Sequence, residues 1–377
     1  MAKRIFTPRA ITSKYALPVL QTHNWDVPPL PALRDFIHMY RLKAKKVLSQ
    51  NYIMNMQLNR KVVHKAGDIN DGMVIEIGPG PGGITRALLE RPVRRLDVIE
   101  IDERFIPPLD ILKGSSNGRL HIHSANILKT DEEQIWKDAG AERLSWLDEK
   151  LPPLHLIGNL PFNIAIPLIL RREGAWTFGR VPLTLTFQLE VAKRIVSKID
   201  SDFRSRLSIM AQFVSVPKLV FEMPGIPLYF FGFQVLFCAK TKVDVGLVRF
   251  VPRITPLINA PYEVVEKVVR HVFMFRQRHL SHGLKALYPR ELVKELYPDI
   301  IKHSCIDPKR ISVELEVEEV GQLCDVYYMQ CNENPGLFLY RKENWKKGMD
   351  VLKDLPTLCH LHMYSILRTR SAQKVSH

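Results

Sequence analysis

Residues 73–90 read MVIEIGPGPGGITRALLE: a short apolar-rich run, then Gly78, Gly80, Gly82 and Gly83, then apolar residues at helical spacing. A β-rich run that passes through a glycine loop into a helix is the opening of a βαβ unit, where the loop brings backbone close to a ligand at the carboxyl end of the strand. The pattern continues after the first unit. Strands are predicted at LDVIEI (96–101), LHIHSANI (120–127), LHLIGN (154–159) and LTLTFQLE (183–190), with helices at RFIPPLDIL (104–112) and NIAIPLILRR (163–172). Short strands alternating with helices predict an α/β fold, a doubly wound and mostly parallel sheet. Beyond about residue 255 the strands stop, and YEVVEKVVRHVFMFRQRHLSHGLKALYP (262–289) repeats its apolar residues every three or four positions. A smaller all-helical C-terminal domain is therefore expected, its boundary between Val251 and Thr255, where Pro252 and Pro256 punctuate the chain.

The glycine pattern alone leaves the cofactor open. Gly78, Gly80 and Gly83 satisfy G-x-G-x-x-G, and Glu100 ends the next strand where a dinucleotide's ribose hydroxyls would be accepted. S-adenosylmethionine presents a ribose and an adenine without a pyrophosphate, so it needs only close backbone at the loop and a carboxylate on the diol. Asn126, just past the third strand, is placed to hydrogen-bond an adenine edge, with Ile127 packing its face. The structural alternatives are a surface acid at Glu100 and a loop cap at Asn126; taken together with the loop, the two residues favour a methyl donor.

A second stretch, HLIGNLPF (155–162), ends a predicted buried strand with an amide, a proline and an aromatic. The exocyclic amine of a base is a poor nucleophile while its lone pair is delocalised into the ring. The Asn159 side-chain oxygen and the Leu160 carbonyl can draw its two hydrogens, Pro161 can hold the turn, and Phe162 can stack on the base. The alternative is a purely structural Asn-Leu-Pro turn. A base in a duplex could reach such a pocket only if flipped or already unpaired.

Composition sets the partner class. The 377 residues carry 54 Lys and Arg against 39 Asp and Glu, a net charge of +15, which favours polyanions. Five scattered cysteines without zinc spacing point to a reducing compartment and no metal. The longest apolar run, residues 223–239, is broken by Pro224, Gly225, Pro227, Gly232 and Gln234 and is too short for a membrane helix. Residues 1–27 hold Lys3, Arg4, Arg9 and Lys14 and no acid before Asp26, the composition of a mitochondrial targeting segment. An amphipathic basic helix follows, with Leu33, Phe36, Ile37 and Tyr40 on one face. The expected organisation is thus 1–27 targeting segment, 28–252 cofactor-binding domain, and 253–377 helical RNA-binding domain with a basic tail.

An ordered series of motifs, PPLPALRDFI (28–37), LSQNYIMN (48–55), EIGPGPGGITRALL (76–89), IEIDERFIPPL (99–109), IGNLPFNIAIPLI (157–169), RSRLSIMAQF (204–213) and KVDVGLVRFVP (242–252), resembles the ribosomal small-subunit RNA adenine-N6 dimethyltransferases. CDVYYMQCNENPGLF (324–338) extends the resemblance in the style of the mitochondrial branch. The resemblance implies an S-adenosylmethionine-dependent enzyme that methylates two adjacent adenines in a small-subunit rRNA hairpin, in the mitochondrial matrix; the protein is expected to be a monomer without a membrane span. It also implies that Gln50, Asn51 and Ile53 close over the donor, that Gly78 and Gly80 contact it, and that Glu100, flanked by Ile101, holds its ribose. By the same resemblance, Asn126 replaces the usual Asp at the adenine, and Asn159 joins donor to target amine.

Two departures stand out. The family's Q-K-E-V-A is Gln188-Leu189-Glu190-Val191-Ala192 here, and its aromatic-bearing loop is FCAKTKVD from Phe237, preceded by about nine extra residues, 226–234. The resemblance places Phe237 opposite Phe162 on the target base. It admits one other reading, a non-catalytic mitochondrial transcription or ribosome-assembly factor that works through its basic surface on the subunit, mitochondrial DNA or the transcription machinery. A DNA adenine methyltransferase is disfavoured by Asn159, where those enzymes usually carry Asp.

Overall fold

The computed structural model describes residues 55–160, 178–229 and 240–340, with 33, 35, 39, 40, 53 and 168 in addition; for 224–229 and 240–243 only the backbone is described. Gln50, Asn51, Pro161, Phe162, Phe237, the expected targeting segment and the basic tail lie outside the described residues. Of the expected basic helix after residue 28, Leu33, Asp35 and Met39 are helical; Leu33 is buried and Met39 is exposed. Of the helix expected at 163–172, Leu168 is described, helical and buried.

The sheet has seven strands in the order β3-β2-β1-β4-β5-β7-β6. These are β1 (Met73–Ile77), β2 (Arg95–Glu100), β3 (Leu120–Ser124), β4 (Leu154–Gly158), β5 (Leu183–Gln188), β6 (Ser215–Tyr229) and β7 (Lys240–Pro252). The first five are parallel, while β7 runs antiparallel to both β5 and β6. Between them run α1 (Met56–Lys65), α2 (Gly83–Leu89), α3 (Ile106–Gly114), α4 (Glu132–Asp138), α5 (Leu189–Val196) and α6 (Arg206–Gln212). Every residue of β1 and β4 is buried, the expected state of a parallel strand covered on both faces. Chain order reverses between β1 and β4, which makes their carboxyl ends the switch point of the fold.

One difference from the sequence reading lies at the sheet edge. The run from Met223, read as an apolar stretch with an insertion, continues β6 as far as Tyr229, and Ile226–Tyr229 pair with Val243–Lys240. Prolines 217, 224 and 227 are tolerated because β6 is an edge strand, where a missing N–H need not leave a neighbour unpaired. Register shifts fall between Leu219 and Phe221 and between Met223 and Ile226, the second spanning Pro224-Gly225.

After Pro252 the described elements are helical: α7 (Tyr262–Val272), α8 (Leu280–Lys285), α9 (Val293–Ser304) and α10 (Val317–Glu333). The acidic stretch 312–320 is a short turn at Ser312–Glu314 followed by the start of α10, where Glu319 caps the Glu316 N–H. Valines 264, 265, 268, 269 and 272 form the buried stripe of α7 and join one apolar cluster that runs from Ile75, Leu156 and Leu185 to Leu323 and Tyr327. A second cluster, built from Val62, Leu88, Leu109 and Leu247, covers the other face of the sheet. Arg204, only 2 % accessible, ties the sheet to the helices by donating to the Ser197 carbonyl at 3.3 Å and the Leu315 carbonyl at 2.7 Å.

Candidate functional site

Strand register brings the singled-out residues to one edge. Ile77 pairs with Ile99 on one side and Gly158 on the other, so Gly78, Glu100 and Asn159 leave adjacent strands at the same level. Read across the sheet, the order at the carboxyl ends is Asn126 after β3, Glu100 on β2, Gly78 after β1 and Asn159 after β4. Thr186 of β5 completes the row.

The glycine loop turns sharply, with φ of +67° at Gly78 and +54° at Gly80, values that side chains other than glycine rarely adopt. Over Gly78 the nearest atom a side chain would meet is a methyl of Leu160, 3.5 Å away, which leaves a backbone cradle walled by that leucine. The Gly78 N–H donates to the Ile99 carbonyl at 2.9 Å. Glu100 then locks the loop from the neighbouring strand: Oε2 accepts the Gly80 N–H at 3.0 Å and Oε1 the Asp102 N–H at 2.9 Å. Its side chain has no ion-pair partner among the described residues. Burial pushes its carboxyl up, and the N–H groups of Asp102 and Gly80 oppose that shift. Each oxygen keeps a second lone pair, so the carboxylate can still accept two hydroxyl groups, as a ribose diol would offer.

Ile101 is exposed, with 51 % of its surface accessible, and Ile127 is buried at 6 %. Asn126 is the cap of the turn Ile127–Lys129, its Oδ1 accepting the Leu128 N–H at 3.0 Å. The loop-cap alternative is therefore real, but capping occupies one of the two lone pairs and leaves the other for an adenine amine. Ile53 is buried, and its carbonyl accepts from the Asn59 amide at 3.0 Å behind the loop. These groups fit the ribose and adenine of S-adenosylmethionine.

Asn159 is half-buried at the end of β4, and Leu160 is buried beside it. Gly158 pairs with Leu185, which brings Asn159 level with Thr186, and the Thr186 hydroxyl donates to Asn159 Oδ1. That bond ties the amide of Asn159 to β5. Sequence reading missed Thr186; the available signal was two hydroxyls, Thr184 and Thr186, inside a strand otherwise apolar up to Phe187. Removing the hydroxyl in Thr186→Val is expected to lower kcat about tenfold, the worth of one orienting hydrogen bond. Donor affinity should not change, and Thr186→Ser should restore the rate; single-turnover kinetics with donor titration separate the two effects.

Glu76 was also passed over, although it stands within the opening stretch. It is 1 % accessible in the middle of β1, and its Oε2 has no hydrogen-bond partner among the described residues. Burial pushes its carboxyl from the ordinary 4.5 up to about 8, with the neighbouring Glu100 adding to the rise. Between those two values the unfolded chain is ionised at this position while the folded chain keeps the proton. Stability is thus fullest below pH 4.5 and falls as pH rises towards 8. Glu76→Gln should flatten that fall and stabilise the protein at pH 7 by about 2 kcal/mol, measurable by urea unfolding between pH 5 and 8.

The family model for ribosomal RNA adenine dimethylase matches residues 41–321, a span that holds every described element of this site. The chain belongs to the ribosomal RNA adenine dimethylase family. A Caenorhabditis elegans protein, "Dimethyladenosine transferase 1, mitochondrial", is 52% identical over 339 residues, covering 88% of this chain and 90% of that one. The human protein of the same name is 40% identical over 321 residues, covering 83% and 89%. Among solved structures, a dimethyladenosine transferase from Plasmodium falciparum superposes with a TM-score of 0.52 at 19% identity, over 74% of this chain and 96% of that one, which supports the fold. One departure of this dimethylase from its family's pattern has a packing reason. Leu189 is half-buried and leans towards Gly246 of β7, so it fills space against the sheet where a lysine would carry charge outward.

Proposed function

We propose that this dimethylase transfers methyl groups from S-adenosylmethionine to N6 of two adjacent adenines in a hairpin loop of mitochondrial small-subunit rRNA, acting as a monomer in the matrix. The observation that carries the reading is the ordered row at the strand ends: a loop-locking carboxylate at Glu100, an open backbone cradle at Gly78, and an oriented amide at Asn159. When bound, S-adenosylmethionine supplies an electrophilic methyl group on a sulfonium. The chain's own part is to position and to polarise. Glu100 takes the ribose diol, Gly78 and Gly80 give the backbone approach, Ile101 and Ile127 sandwich the adenine, and Asn126 accepts from its amine. Gln50, Asn51 and Ile53 complete the cover. Asn159 Oδ1 and the Leu160 carbonyl accept the hydrogens of the target amine, which frees its lone pair, while Pro161 sets the turn and Phe162 and Phe237 hold the base between them. No side chain of shifted pKa is needed as a general base, because the amine becomes acidic only after it is methylated.

Mitochondrial localisation is supported by the names of the relatives, which cover most of the chain. The test is nucleoside analysis of a small-subunit hairpin RNA after incubation with protein and S-adenosylmethionine. Accumulation of N6,N6-dimethyladenosine is the expected result; unmodified adenosine after many donor turnovers' worth of time would refute the reading.

A further inference from the structure

The opposite pole of the sheet carries a basic groove that the methyl-transfer site does not use. Helix α1 shares an apolar cluster with Met223, Val245 and Leu247 of β6 and β7 and ends at Ala66-Gly67, where Gly67 lies against the guanidinium of Arg249 and borders the groove. There Arg180, Val216, Lys218, Arg249, Arg253 and Ile254, with a few neighbours, line a groove of about 590 Å³. Four of its lining residues are cationic, and none is a carboxylate.

Three features set this groove apart from a solvated surface. Lys218 and Arg249 are directly opposed across the β6–β7 ladder, an arrangement of like charges that costs stability unless an anion lies between them. The guanidinium groups are held in place by neutral acceptors: Arg180 donates to the Pro252 carbonyl at 3.3 Å and the Asp148 carbonyl at 2.8 Å, and Arg253 to the Gln212 carbonyl at 2.8 Å. None of these bonding partners is a carboxylate, although Arg253 also lies in the field of Glu318. The Nε atoms of Arg180 and Arg249 are buried and have no acceptor among the described residues. Between the cations, Val216 and Ile254 are exposed, 52 % and 39 % accessible, giving an apolar floor suited to the faces of riboses or unpaired bases.

We propose that this groove binds the phosphate backbone of a second RNA segment, at the end of the sheet away from the modified adenines. Fixed cations over an apolar floor favour a strand of RNA over an acidic peptide, which offers carboxylates but no rings to cover Val216 and Ile254. The choice of RNA rests on the function proposed above, and it gives the enzyme a way to prefer folded rRNA over an isolated hairpin.

The test uses the full-length protein with Lys218→Gln, Arg249→Gln and the double variant, plus Lys113→Gln on α3 as an exposed control of equal charge loss outside the groove. Affinity for small-subunit rRNA is measured against salt concentration, alongside methylation of a minimal-stem hairpin and affinity for polyglutamate. Each groove substitution is expected to lower the slope of log affinity against log salt by about 0.7–0.9, one phosphate contact, and the double variant by about twice that. Thermal stability should hold or rise, because opposed like charges are removed, and hairpin methylation should be unchanged. An unchanged slope, an equal fall with Lys113→Gln, or a loss confined to polyglutamate would overturn the proposal. Failure of every protein to methylate the hairpin would instead count against the proposed function, and the slopes would still decide the groove.

Discussion

Asn159→Ala is expected to reduce methyl transfer about 10³-fold while donor binding and folding persist. The magnitude is that of removing a preorganised hydrogen-bonding group aimed at the reacting centre. Asn159 is the residue at which this expectation concentrates because two neighbours have already fixed it. The β4–β5 register sets its height, and the Thr186 hydroxyl sets the direction of its oxygen. Truncation leaves that hydroxyl without its acceptor, a local cost, and leaves the target amine with only the Leu160 carbonyl to accept its hydrogens. Asn159→Asp keeps an acceptor in place and should lose less than alanine does. Rapid-quench measurement on saturated enzyme checks the ordering; equal rates for wild type and Asn159→Ala would remove this residue from the mechanism.

The second large effect falls on Glu100. Glu100→Ala should weaken S-adenosylmethionine binding about 10²–10³-fold, the value of two hydrogen bonds to a charged acceptor. It should also destabilise the protein by about 2–4 kcal/mol, because the Gly80 and Asp102 N–H groups are left buried without their acceptors. Glu100→Gln separates the two roles. Its single amide oxygen can serve one backbone N–H, so stability should fall less than in the alanine variant while the diol still loses a partner. Calorimetric titration with donor, beside urea unfolding, reads both quantities. Unaltered donor affinity in Glu100→Ala would mean that the carboxylate only locks the loop.

Much of this arrangement was legible in the sequence, and the reasons are physical. A parallel strand buried on both faces announces itself as a short apolar run, and glycines at positive φ announce the turn, so the βαβ frame and Gly78, Glu100 and Asn159 could be placed without coordinates. The edge hairpin was harder. Prolines 224 and 227 argue against a strand anywhere except at an edge, and edge position depends on the order of the whole sheet. Thr186 was invisible for a related reason: its partner is set by register across two strands separated by a long crossover. Asn126 is a cap by its local geometry, and its proposed contact with the donor rests on its position after β3. Glu76 lay within the quoted stretch, but only its full burial shows that its charge state is unusual.

Primer extension across the mitochondrial small-subunit rRNA hairpin tests the central claim most directly, because two methyl groups on N6 block Watson–Crick pairing. RNA from cells lacking the protein should read through; wild-type protein should restore two adjacent stops, and Asn159→Ala should not. Stops of equal strength with wild type and Asn159→Ala, or read-through with wild type, would contradict it.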